Sequence, residues 1–479
     1  MDDNNDVPTF VVKLNTMATR NQDHEKAPEA ATAPSLATSQ GNSSEDEPVP
    51  VVLQPAAAPP ASPNGGYGWV CCFAIFWINA HTWGINSAYG IFLAHFLTTN
   101  TFPGATRLDF AFVAGLSLSM AQLISPIATI STRKFGTRVT LLIGVFFETL
   151  ALIGASFATK TWHLFLSQGV CFGWGMGLLF TGSVGVIPQW FTTRRSFANG
   201  IATSGTGIGG LTYSLATGAI IQNIGVGWAY RILGICAFSA NLISALLVRD
   251  RNKQIGSSQL AFDYTLLKRK EYLLLLGYGI LSILGYVVLL FSLPNYATSI
   301  GLTAHQGSVV GAILNLGQAL GRSPIGYFSD SVGRLNMAGS MTFLAGLFSL
   351  VIWTNAHTYG VLIFFALVAG MVAGTYWAIV APVTTEIIGL ANLPSALCIT
   401  WLSLVIPTTF SEAIALQITA SSGSYLGTQL FAGFMFIGAA TLMWILRAWK
   451  IGQLEKSGEK TETVQHKTFV ARLFAMTRV

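Results

Sequence analysis

Residues 273–293 read LLLLGYGILSILGYVVLLFSL, a stretch in which no Lys, Arg, Asp or Glu occurs. A helix of about 20 apolar residues is long enough to cross the hydrocarbon core of a bilayer. Residues 70–96 form a second uncharged stretch of this kind. Only 10% of all 479 residues are charged and 52% are hydrophobic, whereas about a quarter of the residues of a soluble domain are charged. The composition therefore predicts a protein embedded in a membrane.

Apolar runs bounded by charges and turn residues recur along the rest of the chain. We expect twelve transmembrane helices, near residues 68–97, 108–132, 139–159, 162–187, 195–222, 227–248, 271–296, 304–328, 335–355, 358–385, 393–418 and 424–449. A polar, basic linker at 249–270 separates the first six from the last six, and equal halves of this kind indicate an internal structural repeat. The predicted fold class is an all-α membrane protein with two six-helix bundles, at 67–248 and 271–449.

Lys and Arg are distributed unevenly over the loops between these helices. If both ends of the chain lie on one side, the loops of the other side hold only Arg107, Lys160 and Arg231. Cytoplasmic loops carry the excess of positive charge in membrane proteins. We therefore expect cytoplasmic tails at 1–66 and 450–479 and a cytoplasmic linker, in a multi-pass protein of the plasma membrane. The same placement accounts for the net charge of +6 without nucleic acid as a partner.

Residues 1–66 are acidic at their start and rich in Pro, Ala and Ser further on. They lack the basic segment and apolar core of a signal peptide, and they are too polar to bury a core. We predict a disordered tail.

The chemistry-bearing motifs of enzymes and metal sites are missing from the predicted bundles. The five cysteines all fall within apolar segments, which argues against a disulfide framework or a metal site. The sequence contains no Walker loop, His-Glu-x-x-His run, Cys-x-x-Cys pair or nucleophile elbow in this region. We therefore predict no metal, no cofactor and no enzymatic activity, and any transport must draw on gradients rather than on ATP.

Residues 321–334, GRSPIGYFSDSVGR, close the eighth predicted helix and begin the next loop. Gly326 permits close helix approach, Asp330 can cap or pair at a helix end, and Gly333 with Arg334 makes a tight basic turn. An ordinary loop with positive-inside charge is the alternative. The G-x-x-x-D-x-x-G-R order resembles the loop signature of the major facilitator superfamily, whose fold is two six-helix bundles.

Two further motifs resemble the monocarboxylate porter family, a branch of that superfamily. Residues 64–69, NGGYGW, resemble its acid-Gly-Gly-aromatic-Gly-Trp motif before the first helix, with Asn64 in place of the acid. Residues 190–209, WFTTRRSFANGIATSGTGIG, resemble its motif at the fifth helix. The signature positions in these two motifs are Gly65, Gly66, Gly68, Trp69, Arg194, Arg195, Gly200, Gly205 and Gly209. The resemblance extends over 68–449 and implies a transporter.

Gly205, Gly207 and Gly210 also fit the dinucleotide-binding pattern G-x-G-x-x-G. That pattern needs a preceding strand and a βαβ unit, whereas these glycines follow a basic loop and lie in an apolar helix. We expect close helix packing through Gly205 and Gly209 instead of nucleotide binding.

Polar and ionisable groups inside membrane helices are costly and therefore mark functional sites. Asn315, Gln318 and Arg322 share one face of the eighth predicted helix. The family resemblance gives Arg322 the role of binding the substrate carboxylate, while the family's Asp and Lys places fall at Gln318 and near Ser87. Neither Gln nor Ser carries a proton near neutral pH, so lactate–proton symport is not expected. The alternative for Arg322 is that it extends to the inner membrane surface.

Other candidates for solute binding are Asn79 and Asn86 on one face of the first helix and Trp401 on the eleventh. Glu412 is the candidate residue for proton coupling. The alternative interpretation is that its carboxylate simply faces the external vestibule. Aromatic side chains of membrane helices often serve packing or the interface, which is the alternative for Trp401.

Together these features predict a secondary active transporter that moves a small organic acid or metabolite by alternating access. The neutral Asp and Lys places and the aromatic content favour export of a larger metabolite. The alternatives are a proton-coupled importer of short monocarboxylates and a solute sensor that signals through residues 1–66. The predicted partners are an organic solute, the lipid bilayer and, if Glu412 couples, protons.

Overall fold

The computed structural model describes residues 62–456 together with Arg472, Thr477 and Val479, and its described residues form helices, turns and loops without a strand. The helices coincide with the twelve predicted spans, which we number 1 to 12 along the chain. In the first half, span 1 consists of Tyr67–His81, Trp83–Ser87 and Tyr89–Thr99, and span 2 of Arg107–Leu123 and Ser125–Phe135; spans 3 to 6 are, in order, Thr137–Ala155, Thr161–Trp190, Arg195–Ile224 and Val226–Leu247. In the second half, spans 7 to 9 are Lys270–Ser299, Ala304–Val332 and Arg334–Val351. Span 10 consists of Tyr359–Ala373 and Thr375–Ile388, span 11 of Leu393–Ser403 and Val405–Ser422, and span 12 is Leu426–Lys456.

Eight of these spans are long and apolar enough to cross a membrane, and span 2, bent by 40°, makes a ninth. The other three are spans 1, 5 and 8. Span 1 is broken into three short helices, and spans 5 and 8 are interspersed with Gly, Ser, Thr, Asn and Gln. Polar groups of this kind are tolerated at membrane depth where they are buried in protein or line a cavity, so the polar faces of these spans belong inside the molecule, while apolar side chains such as Phe73, Leu215 and Leu320 are exposed on their other faces.

Prolines account for three of the helix breaks. A proline ring clashes with the carbonyl four residues earlier and provides no N–H to the helix. The interrupted helices end at Leu123, Val184 and Ser403, three or four residues before Pro126, Pro188 and Pro407.

The two predicted bundles are present in the structure. Spans 1–6 pack around apolar clusters that include Phe110, Tyr230 and Phe191, and spans 7–12 pack around a cluster that includes Trp353 and Phe365. Glycines bring the halves together at the crossing of spans 5 and 8. A Cβ atom on Gly200 would lie only 2.4 Å from the carbonyl oxygen of Arg322.

The loops between spans 2 and 3, 4 and 5, and 8 and 9 lie on one face of the molecule, which we call the basic face. Its cations include Arg133, Lys134, Arg138, Arg194, Arg195 and Arg334. The carboxylate of Asp330 accepts hydrogen bonds from the backbone N–H groups of Ser196 (3.1 Å) and Phe197 (2.9 Å) at the start of span 5. A carboxylate at a helix N-terminus is favoured by the orphan N–H groups and the helix dipole. The halves are therefore in contact at this face.

Arg334 strengthens that contact from the other end of the same loop. Its guanidinium forms ion pairs with Asp330 (3.1 Å) and Glu386 (3.3 Å), and it donates to the carbonyl oxygen of Thr192 at 3.0 Å. Since Thr192 belongs to the first half, Arg334 joins the two halves directly.

Residues 1–61 and most of 457–479 lie outside the described residues, so the predicted tails remain predictions. The last helix continues to Lys456, beyond the expected end at 449; Ile451 is buried in an apolar cluster there, and Gly452 packs against Arg472. The linker contains two short helices, Asn252–Ile255 and Leu266–Lys268.

Candidate functional site

A cavity lies between the two halves at the centre of the spans. It holds about 590 Å³ of empty space, counting the part open to solvent. Eight spans contribute side chains, four from each half. The lining residues are Asn79, Trp83, Asn86, Ser87, Leu118, Gln122, Phe180, Thr203, Thr206, Tyr286, Val287, Leu290, Arg322, Trp377 and Thr408.

Arg322 is the one charged side chain among these lining residues, and it is only 2% exposed. Its guanidinium donates to the carbonyl oxygen of Thr203 across the interface (2.6 Å) and to Oε1 of Gln318 on its own helix (2.6 Å). It therefore turns towards span 5 rather than extending to the membrane surface. Among the described residues no carboxylate forms an ion pair with Arg322, and its Nε–H has no partner.

Gln318 and Asn315 lie behind Arg322 rather than on the cavity wall. Oε1 of Gln318 accepts from the hydroxyl of Tyr286 (2.8 Å) as well as from Arg322, so one amide oxygen orients two cavity side chains. Asn315 packs against span 5, where a Cβ atom on Gly210 would lie 3.0 Å from its Cγ. The predicted face of span 8 thus points towards the interface between the halves, and Arg322 reaches the cavity from it.

Asn79 and Asn86 both line the cavity from span 1. The Asn79 amide donates to the carbonyl oxygens of Ile75 (3.0 Å) and Ala202 (3.1 Å), while Oδ1 of Asn86 accepts from the hydroxyl of Ser117 at 3.0 Å. The first asparagine is therefore tied to span 5 and the second to span 2.

Aromatic side chains from both halves meet on the cavity wall. Trp83 lies 5.3 Å from Phe180 and 5.2 Å from Trp377, measured between ring centroids. Trp401 is fully buried behind this cluster, stacked on Trp377 at 6.0 Å, and it does not line the cavity. Its position supports the orientation of Trp377 rather than direct contact with a solute.

Glu412 lies one helical turn beyond Thr408, which lines the cavity from span 11. Its carboxylate accepts hydrogen bonds from the hydroxyl of Ser292 on span 7, at 3.0 and 3.2 Å, and it does not itself line the cavity. The other carboxyl buried in a span, that of Glu148, accepts from Asn241 (2.6 Å) within the first half.

The two motifs singled out in the sequence contact each other in space. The Trp69 and Phe191 rings lie 4.9 Å apart, and a Cβ atom on Gly68 would lie 2.8 Å from Cβ of Trp190. Deeper in the membrane a Cβ atom on Gly205 would lie 2.1 Å from the carbonyl oxygen of Phe76. Spans 1 and 5 therefore pack backbone to backbone along both motifs.

Comparison with known sequences agrees with this arrangement. The sequence model of the Major Facilitator Superfamily matches residues 71–303. A probable transporter of Saccharomyces cerevisiae, MCH2, is 34% identical over 401 residues, which cover 82% of this chain and 85% of the relative. Monocarboxylate transporter 10 of Rattus norvegicus is 26% identical over 84% of each chain. The chain belongs to the monocarboxylate porter family of the major facilitator superfamily.

Solved structures agree with this porter in fold. The proton:xylose symporter XylE bound to 6-bromo-6-deoxy-D-glucose superposes with a TM-score of 0.64 at 16% identity, covering 80% of this chain and 96% of that one. FucP in its outward conformation gives a TM-score of 0.62 at 15% identity, covering 79% and 98%. The prediction of two six-helix bundles is thereby confirmed.

Asn64 stands where the family usually has an acid, and this porter uses it as an acceptor. Its Oδ1 accepts from the backbone N–H groups of Thr192 (2.6 Å) and Thr193 (3.1 Å). Its backbone is in the left-handed region (φ 53°), which Asn tolerates better than most residues. The loop before span 5 is thus held between Asn64 on one side and Arg334 on the other.

Replacing Asn64 by alanine is expected to lower the free energy of unfolding by about 1 kcal/mol, because the backbone N–H groups of Thr192 and Thr193 lose the acceptor that they share. Thermal unfolding in detergent measures the loss. Asn64→Asp keeps an acceptor at the same position and serves as the matched control. An alanine variant as stable as wild type would show that these contacts do not stabilise the porter.

Sequence patterns did not reveal several residues that line the cavity. Tyr286 and Phe180 lie in strongly apolar segments, where an aromatic residue carries no signal of its own. Gln122 could have been found, since an amide inside a membrane helix is costly. It is 1% exposed and its Nε2 has no partner among the described residues.

Proposed function

We propose that this porter carries an organic anion with an apolar or aromatic body across the membrane by alternating access. The single observation that carries the proposal is Arg322, a buried cation on the wall of the central cavity without a carboxylate partner in the described residues. Burying an ion without a counter-ion costs several kcal/mol, and a carboxylate bound in the cavity would offset that cost. A porter that holds such a charge is therefore suited to an anionic solute.

The geometry of the guanidinium supports a carboxylate in particular. Planar guanidinium groups bind carboxylates through paired, charge-assisted hydrogen bonds. Only some of the N–H donors of Arg322 are used, by Thr203 and Gln318, and Nε–H is without a partner. The relatives named as monocarboxylate transporters are consistent with this chemistry.

The aromatic cluster supports a solute larger than lactate. Trp83, Phe180 and Trp377 line the same cavity as Arg322, so a carboxylate held by the arginine can place an apolar or aromatic body among the rings. Aromatic pairs contribute about 0.5–1.5 kcal/mol beyond the area they bury. We infer that export of such a metabolite is the direction of net flux.

Alternating access requires the halves to separate at one face while they close at the other. Asp330 and Arg334 hold them together at the basic face, which we propose to be cytoplasmic because of its excess of cations. The structure would then correspond to a state that is closed towards the cytoplasm, and we propose that both tails are cytoplasmic as well.

A flux assay tests the proposal. Purified porter is reconstituted in liposomes and offered aromatic and aliphatic carboxylic acids, each beside its uncharged amide. We expect counterflow of the acids and none of the amides, with aromatic acids carried faster than acetate or lactate. Equal transport of acid and amide would contradict a site built around Arg322.

Proton coupling through Glu412 is a separate prediction. We expect Glu412→Gln to abolish the effect of a proton gradient on the net flux of the organic anion while counterflow at equal pH continues, because glutamine keeps the shape of the side chain but cannot exchange a proton. Glu148→Gln is the matched control, since Glu148 is buried in a span away from the cavity. Gradient dependence that survives in Glu412→Gln, or is lost only in Glu148→Gln, would exclude this role.

A further inference from the structure

A second cavity lies at the basic face. It is bounded by the ends of spans 2 and 4, the start of span 3, the linker and the start of span 11, and it holds about 420 Å³, counting the part open to solvent. The described residues that line it are all different from those that line the Arg322 cavity. It is therefore a separate space, with walls from both halves.

The walls of this second cavity are polar and uncharged. Four threonines and three amide side chains line it, and none of the described lining residues carries a charge. The buried hydroxyl of Thr181 has no hydrogen-bond partner among the described residues, and Gln259 contributes a half-buried amide to the same wall. Buried polar groups are nearly always paired, so the Thr181 hydroxyl is free to bind an occupant with hydrogen-bonding groups of its own.

The linker forms the roof of the cavity and is attached to both halves. On the side of the first half, Oδ1 of Asn252 accepts from the amide of Gln189 at 2.9 Å. On the side of the second half, the backbone N–H of Ser258 donates to the carbonyl oxygen of Ala391 (2.8 Å), and Ser395 donates to the carbonyl oxygen of Ser258 (3.0 Å). The linker is thus a strap across the two halves rather than a loose connection.

We propose that this cavity binds an uncharged small molecule that bears hydroxyl or amide groups, and that the bound molecule slows transport by holding the halves together at the basic face. Thr181 belongs to span 4 and Leu397 to span 11, so an occupant contacts both halves at once. A ligand that binds the closed arrangement better than the open one shifts the equilibrium towards closure. The slowing of transport rests on the proposed alternating access, whereas the binding itself does not.

Two substitutions separate binding in this cavity from binding elsewhere. Gly185 lines the cavity with an ordinary backbone (φ −78°), and no atom lies within 4 Å of a Cβ built there, so Gly185→Leu fills the space without a clash at Cβ. Thr181→Val removes the unpaired hydroxyl and keeps the volume. Should the leucine variant fail to fold, the valine variant still tests the site.

The binding test uses the full chain in lipid nanodiscs with benzamide and myo-inositol as probes, and benzoate as the anion of matching shape. We expect at least one uncharged probe to raise the unfolding temperature and to give a saturable Kd. Gly185→Leu abolishes this binding, Thr181→Val weakens it by about 3–10-fold, the effect of one hydrogen bond, and Arg322→Gln leaves it unchanged. Benzoate should show the opposite pattern: its effect on the unfolding temperature should be lost in Arg322→Gln and retained in Gly185→Leu and Thr181→Val. The absence of binding by both uncharged probes, or an unchanged Kd in Gly185→Leu, would overturn the site.

Transport is measured with the same probes at saturating concentration. We expect a bound probe to lower the maximal rate of organic-acid flux without raising the half-saturating concentration, and Gly185→Leu to be insensitive to the probe. Binding without any effect on the rate would overturn the proposed control of transport and leave the site in place. A porter that carries no anion at all would refute the proposed function, while the binding measurements would still be interpretable.

Discussion

Arg322→Gln is expected to lower the flux of an organic anion by about 100-fold or more, because a carboxylate in the cavity loses two charge-assisted hydrogen bonds worth about 1.5–3 kcal/mol each. Glutamine keeps a hydrogen-bonding end but no charge, and it is too short to reach both Thr203 and a solute. Since the cation is buried without a counter-ion in the described residues, the variant should fold at least as well as wild type. Initial rates of counterflow in liposomes, with thermal unfolding measured in parallel, test both statements.

Arg231→Gln provides the matched control. Arg231 lies near the start of span 6, where its guanidinium is over the rings of Phe157 and Trp228 and donates to the hydroxyl of Ser156. It does not line the cavity, so flux should change less than about 3-fold in its variant, the effect of a weak surface interaction. Similar losses in both variants would mean that Arg322 acts through general stability rather than through the solute.

Gly205→Val is expected to prevent folding or to lower stability by more than about 3 kcal/mol, beyond the usual range for overpacking. A Cβ atom at this position would lie 2.1 Å from the carbonyl oxygen of Phe76. That oxygen belongs to the backbone of span 1, which cannot move aside as a flexible side chain would. The yield of monodisperse protein in detergent and its unfolding temperature measure the effect.

Gly218 in the same helix distinguishes steric overlap from the general effect of a branched residue. A Cβ atom on Gly218 would lie 3.9 Å from the nearest atom, a methyl carbon of Ile91, which is ordinary contact. Gly218→Val should therefore give folded protein with an unfolding temperature close to that of wild type. Poor folding of both variants would indicate that valine itself, rather than the contact with span 1, is the cause.

The spans, the two halves and the family could be read from the sequence because they depend on local properties. Hydropathy reports burial in lipid over about 20 residues, and both family motifs are continuous in the chain. Arg322, Asn79 and Asn86 could be proposed on the same ground, since each is a polar group inside an apolar segment. The structure brings all three to one cavity, and their role in binding remains a proposal.

The partners of these residues were decided by the tertiary structure alone. Rotation of a helix about its axis and its neighbours in the other half are not encoded in any local pattern, so the Thr203 carbonyl that binds Arg322 could not be foreseen. For the same reason Trp401, on a promising face of span 11, lies behind Trp377. The sequence showed the linker only as a polar connection. Its hydrogen bonds to Gln189 in the first half and Ser395 in the second, which join it to both halves, are visible only in the structure. The sequence by itself therefore determined which segments enter the membrane and which polar groups go with them, while packing between the halves decided which of those groups meet.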